Sequence, residues 1–108
     1  MNPIIDEISR RIKIHFAVQT IYLFGSAVTG SHTEDSDIDI LIILNEPGKS
    51  GSFMELVNRR NKISRLLLDI KKKIPLDILV YTNEEWQILI KDGSSFTREI
   101  LEKGLLVA

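Results

Sequence analysis

The segment Ile38–Leu44, with the sequence IDILIIL, is the feature that most constrains the fold of this chain. Six of its seven residues are Ile or Leu, and apolar side chains stand at both parities of the predicted strand. A strand with this pattern has both of its faces covered. Apolar residues recur at helical spacing on either side of it, over residues 4–16 and 56–74. We therefore predict an α/β or α+β fold, a small sheet flanked by helices.

The remaining elements follow from turn and capping signals. Two further strands are predicted, Thr20–Phe24 before Gly25 and Leu76–Tyr81 after Pro75. Capping-box patterns predict two helices, one opened by Ser52 with Glu55 and reaching Lys73, the other opened by Thr82 with Glu85 and reaching about Lys91. Phe96–Lys103 should form a last short helix closed by Gly104. The tail Leu105–Ala108 either adds a strand or packs through its apolar side chains.

Composition excludes several classes of protein. The chain has 108 residues and 44% apolar residues, which predicts a single domain over residues 1–108 with an ordinary core. It has no Cys, so disulfides and thiolate metal sites are excluded and a reducing, cytoplasmic location is expected. No signal peptide or membrane-spanning run is visible, so we expect no membrane association. The net charge of −1 makes a nucleic acid an unlikely partner.

Three aspartates suggest a metal site. Asp37 and Asp39 alternate along the start of the central strand and so point to the same face. Asp77 also stands near the start of an apolar strand, and the three carboxylates converge if the two strands are neighbours. Such a cluster is tolerable only beside a positive charge, and carboxylates with substrate phosphates are the ligands that Mg²⁺ prefers.

The dipeptide Gly25-Ser26 suggests a phosphate site beside those carboxylates. It follows a strand directly, and residues 27–28 can begin a helical turn. Glycine lets the backbone approach an anion closely, and the N–H groups of a helix start can bind phosphate together with a Ser hydroxyl. A phosphate site next to metal-binding carboxylates is what a nucleoside triphosphate with Mg²⁺ requires.

Gly25-Ser26, ten intervening residues and then Asp37-Ile38-Asp39 resemble the signature of the polymerase-β-like nucleotidyltransferases. The small size and the later segment LDILVY are similar to the minimal nucleotidyltransferase branch of that superfamily. The resemblance implies that Gly25 and Ser26 hold the phosphates of ATP. It implies that Asp37, Asp39 and Asp77 ligate two Mg²⁺ ions, and that Asp77 helps to deprotonate the acceptor hydroxyl.

The same resemblance implies a role as an antitoxin. Members of this branch are often encoded beside a HEPN-domain toxin and transfer AMP from ATP to a tyrosine of that toxin, so a hetero-oligomer is possible. Two alternatives stay open. The chain could neutralise its partner by binding and masking it, or it could be a nucleotidyltransferase that acts on small molecules such as aminoglycosides.

Other polar and aromatic residues have an ordinary interpretation beside a functional one. The loop residues His32, Glu34 and Asp35 are typical solvated side chains, although any of them could contact substrate. Tyr81 and Trp86 could stack on a base but favour the core. A basic set on the long helix is either a solvated face or a contact for triphosphate or an acidic partner: Arg59, Arg60, Lys62 and Arg65.

A P-loop is excluded despite the segment Pro47-Gly48-Lys49-Ser50. That segment lies between a predicted strand and a predicted helix, as a P-loop does. The P-loop pattern needs a further glycine at position 43, where this chain has Ile43 in the middle of the strand. An ATPase or GTPase of the P-loop class is therefore not expected.

Overall fold

The strands form one sheet, and the helices pack on both of its faces. The structure, a computed structural model, describes residues 3–25, 38–46 and 53–107. Its helices are α1 (Pro3–His15), α2 (Phe53–Leu66), the short α3 (Leu68–Lys71), α4 (Asn83–Asp92) and α5 (Ser95–Lys103). Its strands are β1 (Val18–Phe24), β2 (Ile38–Leu44), β3 (Leu76–Thr82) and β4 (Leu105–Leu106). No helix in these ranges is long and apolar enough to cross a membrane.

The sheet is mixed, with the strand order β3-β2-β1-β4. The central strand β2 runs antiparallel to β1 and parallel to β3, while β4 pairs antiparallel with β1. This arrangement confirms the predicted fold class. It also resolves the alternative left open for the tail, because Leu105 and Leu106 pair with Leu23 and Tyr22 as a fourth strand.

Alternation along the strands divides the core between the two faces of the sheet. One cluster joins α1 and α2 to the strand face that includes Ile38, Ile40 and Ile42. The other lies on the opposite face, where Leu41 and Ile43 pack against Trp86 of α4 and Ile100 of α5. The strand β2 is therefore covered on both sides, as its sequence predicts.

The predicted long helix from Ser52 to Lys73 is interrupted, which corrects its expected extent. Leu67 leaves the helical conformation, with φ −108° and ψ 15°, and separates α2 from α3. Its N–H is shared between the carbonyl oxygens of Ile63 and Ser64, each at 3.2 Å, and its side chain is fully buried. The apolar spacing continues across Leu67, so the pattern that predicts the helix contains no sign of the break.

The two predicted capping boxes have different outcomes. At the start of α4 the Thr82 hydroxyl accepts from the Glu85 N–H at 3.1 Å, and the Glu85 carboxylate accepts from the Thr82 N–H at 2.8 Å. This reciprocal pair confirms the second box. The first box, Ser52 with Glu55, lies outside the side chains that the structure describes.

Four charged side chains, which we name the α1–α3 brace, connect the first helix to the third: Glu7, Arg10, Arg11 and Asp69. Arg11 donates to both carboxylate oxygens of Asp69, at 2.6 and 3.0 Å. Glu7 accepts from Arg10 at 2.5 Å and from Arg11 at 2.9 Å. Hydrogen bonds from Arg10 and then Arg11 lower the pKa of Glu7 to about 2, and the hydrogen bond from Arg11 lowers the pKa of Asp69.

Candidate active site at the acidic rim

The ends of three strands meet at one edge of the sheet. Because β2 and β3 are parallel, both of them start at this edge, and the antiparallel strand β1 ends there. The register pairs Asp39 with Asp77 across β2 and β3, and it pairs Phe24 with Asp39 across β1 and β2. Gly25 follows Phe24 directly. We name Gly25, Asp39 and Asp77 the acidic rim.

Asp39 and Asp77 belong to the same face of the sheet. Residues paired in register on adjacent strands project to the same side, and side chains two positions apart along a strand share that side. Leu41 and Leu79, two positions beyond the aspartates, both belong to the cluster formed with α4 and α5. The aspartates therefore project toward the α4–α5 side, as the sequence predicts for neighbouring strands. Asp37, the third predicted carboxylate, lies outside the described residues.

Gly25 is held against the carboxylate of Asp39. It has φ +71°, in the left-handed region that glycine adopts most readily. A Cβ built at this position would collide with Oδ2 of Asp39 and would lie 3.2 Å from its Cγ. Position 25 therefore requires glycine for two reasons: the left-handed backbone conformation, and the close approach of the backbone to the Asp39 carboxylate. Ser26, its predicted partner in binding phosphate, lies outside the described residues.

Arg60 contacts the rim from α2, a contact that the sequence does not predict. Its Nη2 lies 3.7 Å from Oδ1 of Asp77, and the two side chains are 56% and 52% exposed. The strand β3 is at the edge of the sheet, so a long side chain from the helix on one face can reach Asp77 on the other. The available signal was the basic set on α2, but nothing in its spacing distinguishes Arg60 from its neighbours.

The structure divides that basic set among three places. Arg59 lies 3.5 Å from Glu85, and both side chains are largely buried. Arg60 is at the rim, while Lys62 and Arg65 are exposed and line hollows beside Phe16. The set is thus neither one solvated face nor one binding surface.

The electrostatics of the rim favour a cation. Neighbouring strands place the aspartates about 5 Å apart, where two carboxylates repel by about 3 kcal/mol at an effective dielectric of 20. Asp77 is half-exposed, so solvent reduces this figure. Hard carboxylate oxygens beside an open glycine backbone fit the ligand preference of Mg²⁺ with a phosphate. Within the described ranges, no group of three acidic, His or Cys side chains is placed to hold a metal.

The remaining candidates separate into core residues and residues outside the described ranges. Trp86 is 3% exposed and lies 6.2 Å from the ring of Tyr81, ring centre to ring centre, so it serves the core. Ile43, the residue that excludes a P-loop, is buried in β2. The loop residues His32, Glu34 and Asp35 lie outside the described residues.

A family model described as the nucleotidyltransferase domain matches residues 4–107. The chain belongs to this family. The match confirms the predicted enzyme class and the resemblance drawn from the motif of residues 25–39. In this nucleotidyltransferase two residues of the acidic rim belong to that motif, Gly25 at its start and Asp39 at its end, and the third, Asp77, lies in the later strand β3.

Two curated proteins extend the comparison. One is protein adenylyltransferase MJ1379 of Methanocaldococcus jannaschii, a name given to it provisionally. It is 36% identical over 75 residues, covering 64% of this chain and 75% of that protein. Protein adenylyltransferase MntA of Thermococcus cleftensis is 34% identical over 67 residues, covering 62% of this chain and 68% of that protein.

A solved structure agrees with the fold. A toxin–antitoxin crystal structure with AMP-PNP superposes with a TM-score of 0.57 at 19% identity, covering 94% of this chain and 70% of that chain. At this identity the likeness concerns the fold, and it supports the mixed sheet flanked by helices described above.

Proposed function

We propose that this nucleotidyltransferase is an antitoxin that transfers AMP from ATP to a tyrosine hydroxyl of a HEPN-type toxin, with Mg²⁺ and with release of pyrophosphate. The observation that carries the proposal is the register of β2 and β3, which pairs Asp39 with Asp77 beside the backbone of Gly25. Two carboxylates and a glycine at one edge offer metal ligands and a phosphate approach together.

Each residue of the site has a role in this proposal. Gly25, with Ser26, binds the β- and γ-phosphates through backbone N–H groups and the Ser hydroxyl. Asp37, Asp39 and Asp77 hold two Mg²⁺ ions, which when bound offset the charge of the phosphates and of the leaving pyrophosphate. Asp77 also accepts the proton of the acceptor hydroxyl. The oxygen then forms a bond to the α-phosphorus as the bond from that phosphorus to pyrophosphate breaks.

A protein acceptor is favoured by the names of the relatives. Both curated relatives are named as protein adenylyltransferases, and each is more than 30% identical over the matched segment. The fold neighbour was crystallised as a toxin–antitoxin with AMP-PNP. Assembly with the toxin as a hetero-oligomer, the single-domain organisation of residues 1–108 and a cytoplasmic location stay predictions.

The test is transfer of label from ATP to the partner. Purified protein, Mg²⁺, ATP labelled on the α-phosphate and the HEPN-type partner should yield a labelled partner, with mass spectrometry locating AMP on a tyrosine. The variant Asp39→Ala should lose transfer while keeping its fold, checked by circular dichroism. EDTA should abolish transfer by the wild-type protein.

Three results would decide against the proposal. Transfer that is unchanged in Asp39→Ala would remove the acidic rim from the reaction. Protection of cells by Asp39→Ala in stoichiometric amounts, without any transfer by the wild type, would instead establish masking of the partner. Turnover with a soluble aminoglycoside and no partner would assign the enzyme to small-molecule substrates.

A further inference from the structure

A groove lies between the junction of α1 with β1 and the helix α2, at the other end of the sheet from the acidic rim. Two adjoining hollows of 390 and 520 Å³ form it, and they share Phe16 and Lys62. Leu44, the last residue of β2, lines the first hollow, and Arg65 lines the second. We name this feature the cationic groove.

The cationic groove is separate from the candidate active site. Leu44 is five residues along β2 from Asp39, a distance of roughly 16 Å for an extended strand. The groove also opens on the other face of the sheet, because Phe16, Leu44 and Leu66 belong to the core cluster formed with α1 and α2. A triphosphate bound at the acidic rim therefore does not occupy the groove.

The groove combines an apolar floor with cations on its wall. Phe16 and Leu66, both partly exposed, supply the floor, and the fully buried Leu44 lies beneath it. Lys62 and Arg65 are exposed beside it, and neither forms an ion pair within residues 3–25, 38–46 and 53–107. In the α1–α3 brace, by contrast, the arginines are paired with carboxylates. The cations of the groove are thus available to an external anion.

Further polar residues limit what that anion can be. Glu46 lines the first hollow together with Arg59, whose guanidinium lies 3.5 Å from Glu85. Glu46 repels a continuous chain of phosphates that runs through both hollows, whereas a short acidic segment can place its carboxylates in the second hollow, which Glu46 does not line. A protein that binds a nucleic acid often makes about six to ten phosphate contacts, which is more than Lys62 and Arg65 can provide. A short segment with one or two carboxylates matches the two cations, Lys62 and Arg65, that the described residues of the groove offer.

We propose that the cationic groove binds an acidic segment of a protein partner, with an apolar side chain of that segment on Phe16 and its carboxylates beside Lys62 and Arg65. The inference rests on the proposed function in one respect: the partner is the toxin that receives AMP. Binding at the far end of the sheet leaves the acidic rim open to ATP while the partner is held.

Charge reversal in the groove tests the proposal. The double variant Lys62→Glu with Arg65→Glu should bind the purified HEPN-type partner at least about tenfold more weakly than the wild type, as measured by calorimetry. Raised salt should reduce the difference in partner affinity between the wild type and the variant. The matched control, Lys72→Glu with Lys73→Glu, makes the same charge change at exposed positions after α3 and should bind as the wild type. The swap Lys62→Arg with Arg65→Lys should retain binding, since it conserves both charges.

Kinetics provide a second readout. In the groove variant the KM for the partner should rise by a similar factor, whereas the KM for ATP and kcat at saturating partner should stay near the wild-type values. A change in the KM for ATP with no change in partner affinity would overturn the proposal. A second contradicting result would be that an RNA oligonucleotide or inorganic pyrophosphate binds in the groove of the wild type, while the groove variant keeps the wild-type affinity for the partner.

The outcomes separate this inference from the proposed function. If the wild type binds the partner through the groove but never transfers AMP, the proposed reaction fails and the groove assignment stands. If the wild type transfers AMP and the groove variant binds and transfers equally well, the groove assignment alone fails. If the wild type does not bind the partner, both are overturned.

Discussion

The acidic rim and the α1–α3 brace each place an arginine opposite an aspartate, but the two contacts differ in kind. In the brace, Arg11 donates to both oxygens of Asp69, at 2.6 and 3.0 Å. At the rim, Arg60 has a single contact with Asp77 at 3.7 Å. A bidentate pair fixes a carboxylate, whereas a long single contact leaves the oxygens of Asp77 able to bind another cation.

Under the proposed function, this difference separates a region that serves stability, the brace, from a region that serves chemistry, the rim. The brace joins α1 to α3 through Arg11 and Asp69, which are 58 positions apart in the sequence. Its two carboxylates are neutralised by its two arginines. The rim brings two carboxylates onto adjacent strands, where their like charges repel. Substitutions in the two regions should therefore have opposite effects on activity and on stability.

The largest expected contrast is between Asp77→Asn and Asp69→Asn. In the proposed function, loss of the Asp77 carboxylate removes a metal ligand and the group that accepts the proton, so AMP transfer should fall by about 10²–10⁴-fold with no loss of thermal stability. Asp69→Asn should keep its activity but melt a few degrees lower, because the bidentate pair with Arg11 is lost. Labelled transfer and thermal melts measure both effects. Equal loss of activity in the two variants would contradict the distinction between rim and brace.

A second contrast compares two glycines with nearly the same backbone. Gly25 and Gly93 have φ of 71° and 69°. A Cβ at Gly93 meets nothing within 4 Å, whereas a Cβ at Gly25 would collide with Asp39. Gly93→Ala should therefore cost only the strain of the left-handed conformation, about 1 kcal/mol. Gly25→Ala should cost about 1–3 kcal/mol more and abolish ATP binding, as measured by chemical denaturation and nucleotide titration.

If Gly25→Ala and Gly93→Ala unfold at the same denaturant concentration and Gly25→Ala still binds ATP, the close approach of Gly25 to Asp39 is needed neither for stability nor for ATP binding. The comparison is informative because the two variants share the φ strain and differ in the steric clash.

A smaller effect concerns the repulsion within the rim. Asp39→Asn removes one of the two repelling charges, so it should raise the melting temperature of the metal-free protein by a few degrees. The rise is small because the exposure of Asp77 screens most of the repulsion and leaves less than about 1 kcal/mol. Mg²⁺ with ATP should raise the melting temperature of the wild type and leave that of Asp39→Asn nearly unchanged. Equal melting temperatures of the wild type with and without Mg²⁺-ATP would argue against a metal site at the rim.

Local patterns predicted most of the elements that build the rim. The run IDILIIL predicts β2 with its observed bounds, and Thr82 with Glu85 predicts the start of α4. These predictions succeed because alternation, apolar spacing and capping depend on residues close together in the sequence. The prediction that Asp39 and Asp77 share a face also follows from local alternation, once the two strands are neighbours.

Long-range features could not be predicted in the same way. The pairing of Ile38 with Leu76 sets the register of β2 and β3, and it depends on packing between segments far apart in the chain. The break at Leu67 depends on burial of that side chain, while the local spacing continues through it. The contact of Arg60 with Asp77 requires the strand order, which places β3 at the edge of the sheet, where a side chain from α2 on one face can reach an aspartate on the other.

The smallest effect expected is on the pH dependence of the brace. Hydrogen bonds from Arg10 and Arg11 lower the pKa of Glu7 from 4.5 to about 2 in the folded protein. A carboxyl group with a lowered pKa stabilises the fold fully above its unfolded pKa, and this contribution is lost as the pH falls through the folded pKa. The free energy of unfolding of the wild type should thus decrease between pH 4.5 and about 2, and Glu7→Gln should show a shallower decrease.

Urea titrations at a series of pH values measure this slope. Arg10→Ala should also flatten it, since Arg10 is the largest cause of the lowered pKa of Glu7, and AMP transfer at neutral pH should be unaffected in both variants. Because Arg10 is 60% exposed and Glu7 is 35% exposed, solvent screens the pair and the change should be small beside those at the rim. A slope in Glu7→Gln equal to that of the wild type would show that the hydrogen bonds seen in the brace do not persist in solution, and the contrast with the looser pair at the rim would then lose its basis.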